Sequence, residues 1–294
     1  MNKIVTTAEP EKESGEPRSN AQPRAAVPEW SETQPAAQPN TRHGWPSRLR
    51  SYFIFDPLIW AYTLILGTLS LICSLFDRNG RIQHNLARFW SWLIMKTILS
   101  PVKVTGMDRD RDRDGKDKID ASKPRVYAVT HASALDIPIL YVYLPFQFRI
   151  IFKSELLAYP FIGWHLKRSG QVCINQQNPA ASIGSIKSAL RSLRSGMPLV
   201  IFPEGGRTQT GEVQPFLPGA FFLAIKAQAD IVPIALIGTF DLLPMNTYHI
   251  KSQPLEMRVG EIISTTGLTV RDTEDVSAKV KSSIEALHSA PRTT

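Results

Sequence analysis

The chain has 294 residues, 43% hydrophobic and 20% charged, with a formal net charge of +8. That is enough for one sizeable packed domain with appendages, and marginal for two. Two cysteines, Cys73 and Cys173, rule out a disulfide framework or a cysteine-based metal site, so a reducing compartment is expected.

Residues 1–47 are rich in Pro, Ala, Gln, Glu, Ser and Asn and have no apolar period. They read as a disordered tail, because so little apolar area cannot offset the entropy of ordering it. Residues 48–100 read as membrane-associated helices. The run from Pro57 to Phe76 carries no charge over twenty residues, about the span of a bilayer core. A weaker stretch follows, with Phe89, Trp90, Trp92, Leu93, Ile94, Ile98 and Leu99 interrupted by Arg88 and Lys96. Its pattern predicts an interfacial amphipathic helix with tryptophans at headgroup depth. Basic residues flank the apolar run on both sides, so charge does not orient it.

Residues 101–294 read as one α/β domain. Val102–Val104 and Val126–Thr130 read as strands, and the alternating charges of Asp108–Asp120 as a solvated loop between them. Ile183, Ile186, Leu190 and Leu193 fall on one helical face, and Gly196 ends that helix. A strand at Leu199–Phe202, a helix at Gly219–Ala229 and a buried strand at Ile231–Ile237 follow. Val276, Val280, Ile284 and Leu287 form the stripe of a last helix. This alternation predicts an α/β fold with a mostly parallel or mixed sheet flanked by helices.

Two segments carry chemistry. His131 follows a strand, and Asp136 stands five residues on. A carboxylate accepting from one ring nitrogen fixes the tautomer, which leaves the other nitrogen able to take a proton from an alcohol. Ser133 offers a hydroxyl to cap the helix that follows. In the second segment, Ile201–Thr208, a strand runs into Pro203, Glu204, Gly205, Gly206 and Arg207. Glycines permit close backbone approach, and arginine suits a phosphate. Taken alone, each segment is also compatible with a plain helix cap or tight turn.

Together with an apolar helix, these residues resemble the bacterial 1-acylglycerol-3-phosphate (lysophosphatidic acid) acyltransferase family. The likeness runs through His131 and Asp136, the Lys153–Leu157 stretch, Gly170–Gln176, Phe202–Thr208, Pro218–Ala220 and Val232–Ile234, over about residues 100 to 245. It implies the glycerolipid acyltransferase fold with an N-terminal helix pair on the membrane. The implied reaction moves an acyl chain from a thioester to the sn-2 hydroxyl of 1-acyl-sn-glycerol 3-phosphate. His131 would be the general base and Asp136 its orienting partner. Lys153 or backbone N–H groups near Gly205 would hold the oxyanion, Arg207 the acceptor phosphate, and Glu204 the turn or a glycerol hydroxyl. No metal and no cofactor are implied, with acyl-CoA or acyl-ACP as co-substrate. The implied partners are the lysophospholipid acceptor, the acyl thioester donor and membrane lipids. The implied location is a bacterial inner membrane, catalytic domain to the cytoplasm.

One departure concerns the acceptor. Asn175 and Gln176 stand where the family carries Asp-Arg, and Lys167 and Arg168 are the nearest substitute charges. Acylation of another lysolipid, such as a lyso-amino-acid lipid, is the alternative within the enzyme class. A non-catalytic membrane-associated binding protein of the same fold is the alternative outside it. Nucleic acid is not an expected partner, because no reader motif accompanies the basic charge. A serine hydrolase lacks its G-x-S-x-G elbow.

Overall fold

A computed structural model describes residues 45–77, 79–107, 125–175 and 178–292. The tail through residue 44, the charged Asp108–Asp120 run and Gln176 lie outside the described residues.

One continuous helix opens the described chain. It comprises α1 (Trp45–Arg50), a π-helical turn at Ser51–Phe55 and α2 (Asp56–Cys73). It begins at Trp45, twelve residues before the apolar run, and at 29 residues it is the one helix among those described long and apolar enough to cross a membrane. Helix α3 (Arg81–Thr97) returns alongside it. The Trp90 indole donates to Thr63 Oγ1 of α2 at 3.0 Å, so this ring packs between the two helices. Phe89 and Trp92 are the exposed aromatics of α3 and stack on each other.

The rest is a seven-stranded sheet in the order β1 (Val102–Thr105), β7 (Leu255–Val259), β6 (Asp230–Ile237), β2 (Arg125–Val129), β5 (Leu199–Ile201), β3 (Arg149–Lys153), β4 (Val172–Ile174). All neighbours are parallel except β6 and β7. The central strands are apolar on both faces because both faces are covered. Tyr127, Val129, Val200, Val232 and Ile234 pack into one core with α3 and α4 (Asp136–Tyr143). Val126, Ala128, Leu199, Ile201 and Ile231 pack into the other core. That side is covered by α6 (Ile183–Arg194), α7 (Phe222–Ala227) and α9 (Thr273–Ser289). The segment expected as one helix over Gly219–Ala229 is a 3₁₀ turn followed by the shorter α7.

Pro233 sits in β6, where a proline is normally excluded for want of an N–H. The N–H of Ile231, two residues back, points to the β7 side, onto Ile263. Pro233 presents its nitrogen to that same side, just beyond the β6–β7 ladder, which starts at Ile234 opposite Val259. Strand β7 carries two charged residues in the interior. Glu256 and Arg258 pair at 2.6 Å, and the Arg258 guanidinium also donates to the carbonyls of Leu287, Ala290 and Pro291, closing the C-terminal end of α9. Burial of both charges is tolerated because each is paired and hydrogen-bonded.

Candidate active site

Three adjacent parallel strands, β2, β5 and β3, end on the same side of the sheet and deliver His131, the Pro203–Arg207 turn and Lys153 there. The carboxyl edge of a parallel sheet is where α/β folds place their ligands, because the loops leaving the strands diverge there.

Past the end of β2, Thr130 stays tied to β6: its N–H donates to Ile234 O, and its Oγ1 accepts Leu236 N–H. His131 is then held through its backbone on both sides. Its N–H donates to Glu204 Oε1 at 2.9 Å, and its carbonyl accepts Thr208 N–H at 2.9 Å. The imidazole lies on the Phe202 ring, with centroids 4.0 Å apart and planes 21° apart. Its Nδ1 is 2.9 Å from Asp136 Oδ2. That same oxygen accepts the N–H groups of Ala132 and Ser133, each at 2.8 Å. An oxygen already receiving two N–H donors takes Nδ1 as a third, so the ring proton sits on Nδ1 and the Nε2 lone pair faces outward. Asp136 is fully buried, whereas the His131 side chain keeps 16% of its surface. The ring is thus fixed on one edge and open on the other.

Ser133 does not cap α4 as expected. The cap position is Leu135, without a side-chain cap. The Ser133 hydroxyl instead accepts Leu135 N–H and donates to Leu243 O, pinning the end of the short α8 (Thr239–Leu242), which follows β6, against the His131 turn.

The turn after β5 is closed at its neck. Leu217 N–H donates to Pro203 O at 2.7 Å, and Gln214 N–H donates to Glu204 Oε2 at 3.1 Å. Glu204 therefore spans the site, with one oxygen on the backbone of His131 and the other on the far end of the Arg207 loop. Burial pushes its carboxyl up to about 7. The two N–H bonds pull it down, and the Asp136 charge pushes it further up. Thr208 Oγ1 accepts Thr210 N–H, Gly211 N–H and Gln214 Nε2, which folds the rest of the loop around one buried hydroxyl. Thr208 lay within the motif; nothing local in the sequence marked Gln214.

Gly205 has φ +71°, a conformation glycine adopts without strain, and its N–H donates to Phe202 O. That N–H is therefore already used within the turn. The next two N–H groups, of Gly206 and Arg207, make no hydrogen bond to a described residue. Lys153, exposed at the end of β3, reaches this turn: a Cβ placed on Gly206 would stand 3.4 Å from its Nζ. The half-buried Arg207 guanidinium makes no hydrogen bond or ion pair to a described residue. Lys167 and Arg168 do not join these cations. They end α5 (Ile162–Arg168), at the start of β4 and so at the opposite edge of the sheet. Burial, then the Glu155 charge, push the Cys173 thiol above the ordinary range, which disfavours the reactive thiolate there.

The Acyltransferase family matches residues 110–237, which span β2 to β6 and include His131, Asp136, Lys153, Glu204 and Arg207. Human 1-acyl-sn-glycerol-3-phosphate acyltransferase beta is 31% identical over 250 residues, covering 84% of each chain. The chloroplastic 1-acyl-sn-glycerol-3-phosphate acyltransferase BAT2 of Brassica napus is 31% identical over 172 residues, 58% of this chain and 47% of that protein. The chain spans about half the length of the plant relatives it matches. The crystal structure of the 1-acyl-sn-glycerophosphate acyltransferase PlsC from Thermotoga maritima shares the fold, with a TM-score of 0.63 at 20% identity over 84% of this chain and 97% of that one. Fold and motif order place this protein among the α/β acyltransferases. Within that class, the chain belongs to the 1-acyl-sn-glycerol-3-phosphate acyltransferase family.

Proposed function

We propose that this protein transfers a fatty acyl chain from an acyl thioester to the sn-2 hydroxyl of 1-acyl-sn-glycerol 3-phosphate, giving phosphatidic acid at a membrane surface. The observation that carries this reading is the His131–Asp136 pair, with Nε2 outward, beside a turn that presents Arg207. His131 Nε2 takes the proton of the acceptor hydroxyl as its oxygen attacks the thioester carbonyl carbon. Asp136 holds the ring and stabilises the imidazolium that forms. The oxyanion of the tetrahedral intermediate is met by Lys153 Nζ and the free N–H groups of Gly206 and Arg207, poised before charge develops. Collapse breaks the carbon–sulfur bond, and the imidazolium proton returns to the departing thiolate. The acyl group passes directly between substrates, with acyl-CoA or acyl-ACP as donor and no further cofactor. The Arg207 guanidinium binds the acceptor phosphate with two parallel hydrogen bonds.

The outward face of α2 supports contact with lipid: Trp60, Leu64, Ile65, Leu69 and Ile72 are exposed. Its inner face is docked along its length, through Tyr62 and Thr63 on α3 and Gly67 and Ser70 on α5. A helix so docked would draw the domain into the bilayer if it crossed upright. We therefore read it as lying in one leaflet, with the catalytic domain on the cytoplasmic side. The test is acyl transfer by the membrane fraction to a panel of lysolipids, with both thioester donors. Turnover with lysophosphatidic acid is expected to exceed turnover with neutral and zwitterionic lysolipids. Preference for a lysolipid without a phosphomonoester would refute the acceptor assignment.

A further inference from the structure

At the sheet edge remote from His131, the last turns of α2 and the end of α5 enclose an open groove of about 570 Å³. It is lined by Leu71, Leu75, Trp164, Lys167 and Arg168. A groove of this size falls in the range of small-ligand sites. Its walls are apolar yet open to the outside, with Leu75 at 67% and Trp164 at 49% exposure. Its rim is cationic. Lys167 makes no hydrogen bond or ion pair to a described residue, and Arg168 makes only a 3.5 Å contact with Ser74 Oγ. The groove adjoins the outward apolar face of α2 at Ile72.

These features together select an occupant. A free anion would meet the two cations and leave the leucines and the indole in water. An apolar segment would cover the walls and leave two cations at its edge without counter-charge. A lipid with a phosphate headgroup satisfies both. An exposed tryptophan beside lysine and arginine is also the residue set that settles at the boundary between headgroups and acyl chains.

We propose that this groove binds an anionic phospholipid of the membrane, with its phosphate on Lys167 and Arg168 and the upper part of an acyl chain against Leu71, Leu75 and Trp164. The site is separate from the Arg207 turn. It rests on the reading that the outer face of α2 meets lipid, and it gives the α2–α5 junction a hold on the bilayer that depends on surface charge.

The test uses the full chain reconstituted in nanodiscs of equal phosphatidylglycerol and phosphatidylcholine, extracted into a non-ionic detergent, with co-purifying lipid identified by mass spectrometry. Phosphatidylglycerol is expected to be retained in preference. The exposed double variant Lys167→Gln/Arg168→Gln is expected to weaken that preference by roughly thirtyfold, about fivefold per cation. Arg207→Ala is expected to keep it. No anionic preference in the parent chain, or a preference that survives the double variant, would overturn the site. So would a preference lost in Arg207→Ala alone, which would place the lipid at the catalytic edge. Displacement by millimolar inorganic phosphate would mark a free-anion site and also overturn it. A chain that partitions into the aqueous fraction before reconstitution would instead refute the membrane reading on which the site rests.

Discussion

The Glu204 carboxylate accepts the backbone N–H of His131 at 2.9 Å, joining two motifs 73 residues apart at the main chain of the proposed base. Its other oxygen holds Gln214, so one buried side chain sets the distance between the His131 turn and the loop that carries Arg207.

That placement has a pH signature. Burial raises the Glu204 carboxyl from 4.5 to about 7. Between those values the folded chain keeps a proton that the unfolded chain has lost. The group's contribution to stability therefore falls as pH rises from about 4.5 to 7 and is level above that. The size is on the order of 3 kcal/mol. Thermal melts of the detergent-solubilised protein across this window are expected to show the slope, and Glu204→Gln is expected to flatten it. An unchanged slope in the variant would assign the titration to another group.

Local patterns in the sequence carried much of this site. His131 with Asp136, and Pro203 through Thr208, are contiguous motifs whose chemistry follows from residue type and spacing. The Glu204–His131 and Ser133–Leu243 bonds were not legible, because each joins segments distant in sequence and uses backbone atoms that leave no residue signature. The same holds for β7. Glu256 and Arg258 make it read as polar, and only their mutual pairing under α9 lets it enter the sheet. Helix α5 was missed because its seven residues are too short for an apolar period to register. The long α2 was legible from its uncharged run, but its docking through Gly67 and Ser70 was not.

Arg207 carries the acceptor assignment. If it binds the phosphate, Arg207→Ala is expected to raise the acceptor KM about ten- to a hundredfold, the worth of a charge-assisted pair. Gln176→Arg is expected to leave turnover with lysophosphatidic acid equal or better. Steady-state kinetics on phosphate and zwitterionic lysolipids separate the outcomes, and indifference of every substrate to Arg207→Ala would remove the clamp.

Gly67 sets how closely α2 approaches α5. A Cβ there would stand 3.0 Å from Phe161 Cβ, and Phe161 already holds φ +60°. Gly67→Leu is expected to destabilise the chain by about 1–3 kcal/mol through overpacking, lowering Tm by roughly 2–4 °C per kcal/mol. An unchanged melt would mean that the junction yields without cost.

Asp136→Asn removes the charge that supports an imidazolium while keeping the side chain's shape. Turnover is expected to fall roughly 10³–10⁴-fold with little change in acceptor KM. A fall in binding alone would make Asp136 a scaffold for the turn rather than a partner of the base.

The most direct test of the account is acyl transfer by His131→Ala, assayed with labelled thioester donor and lysophosphatidic acid on protein whose membrane association and melting temperature match the parent. Loss of the general base is expected to lower turnover at least 10²–10⁴-fold while the protein stays folded and bound. Turnover within a few-fold of the parent would contradict the mechanism, because no other group at this edge of the sheet has been assigned to take the proton.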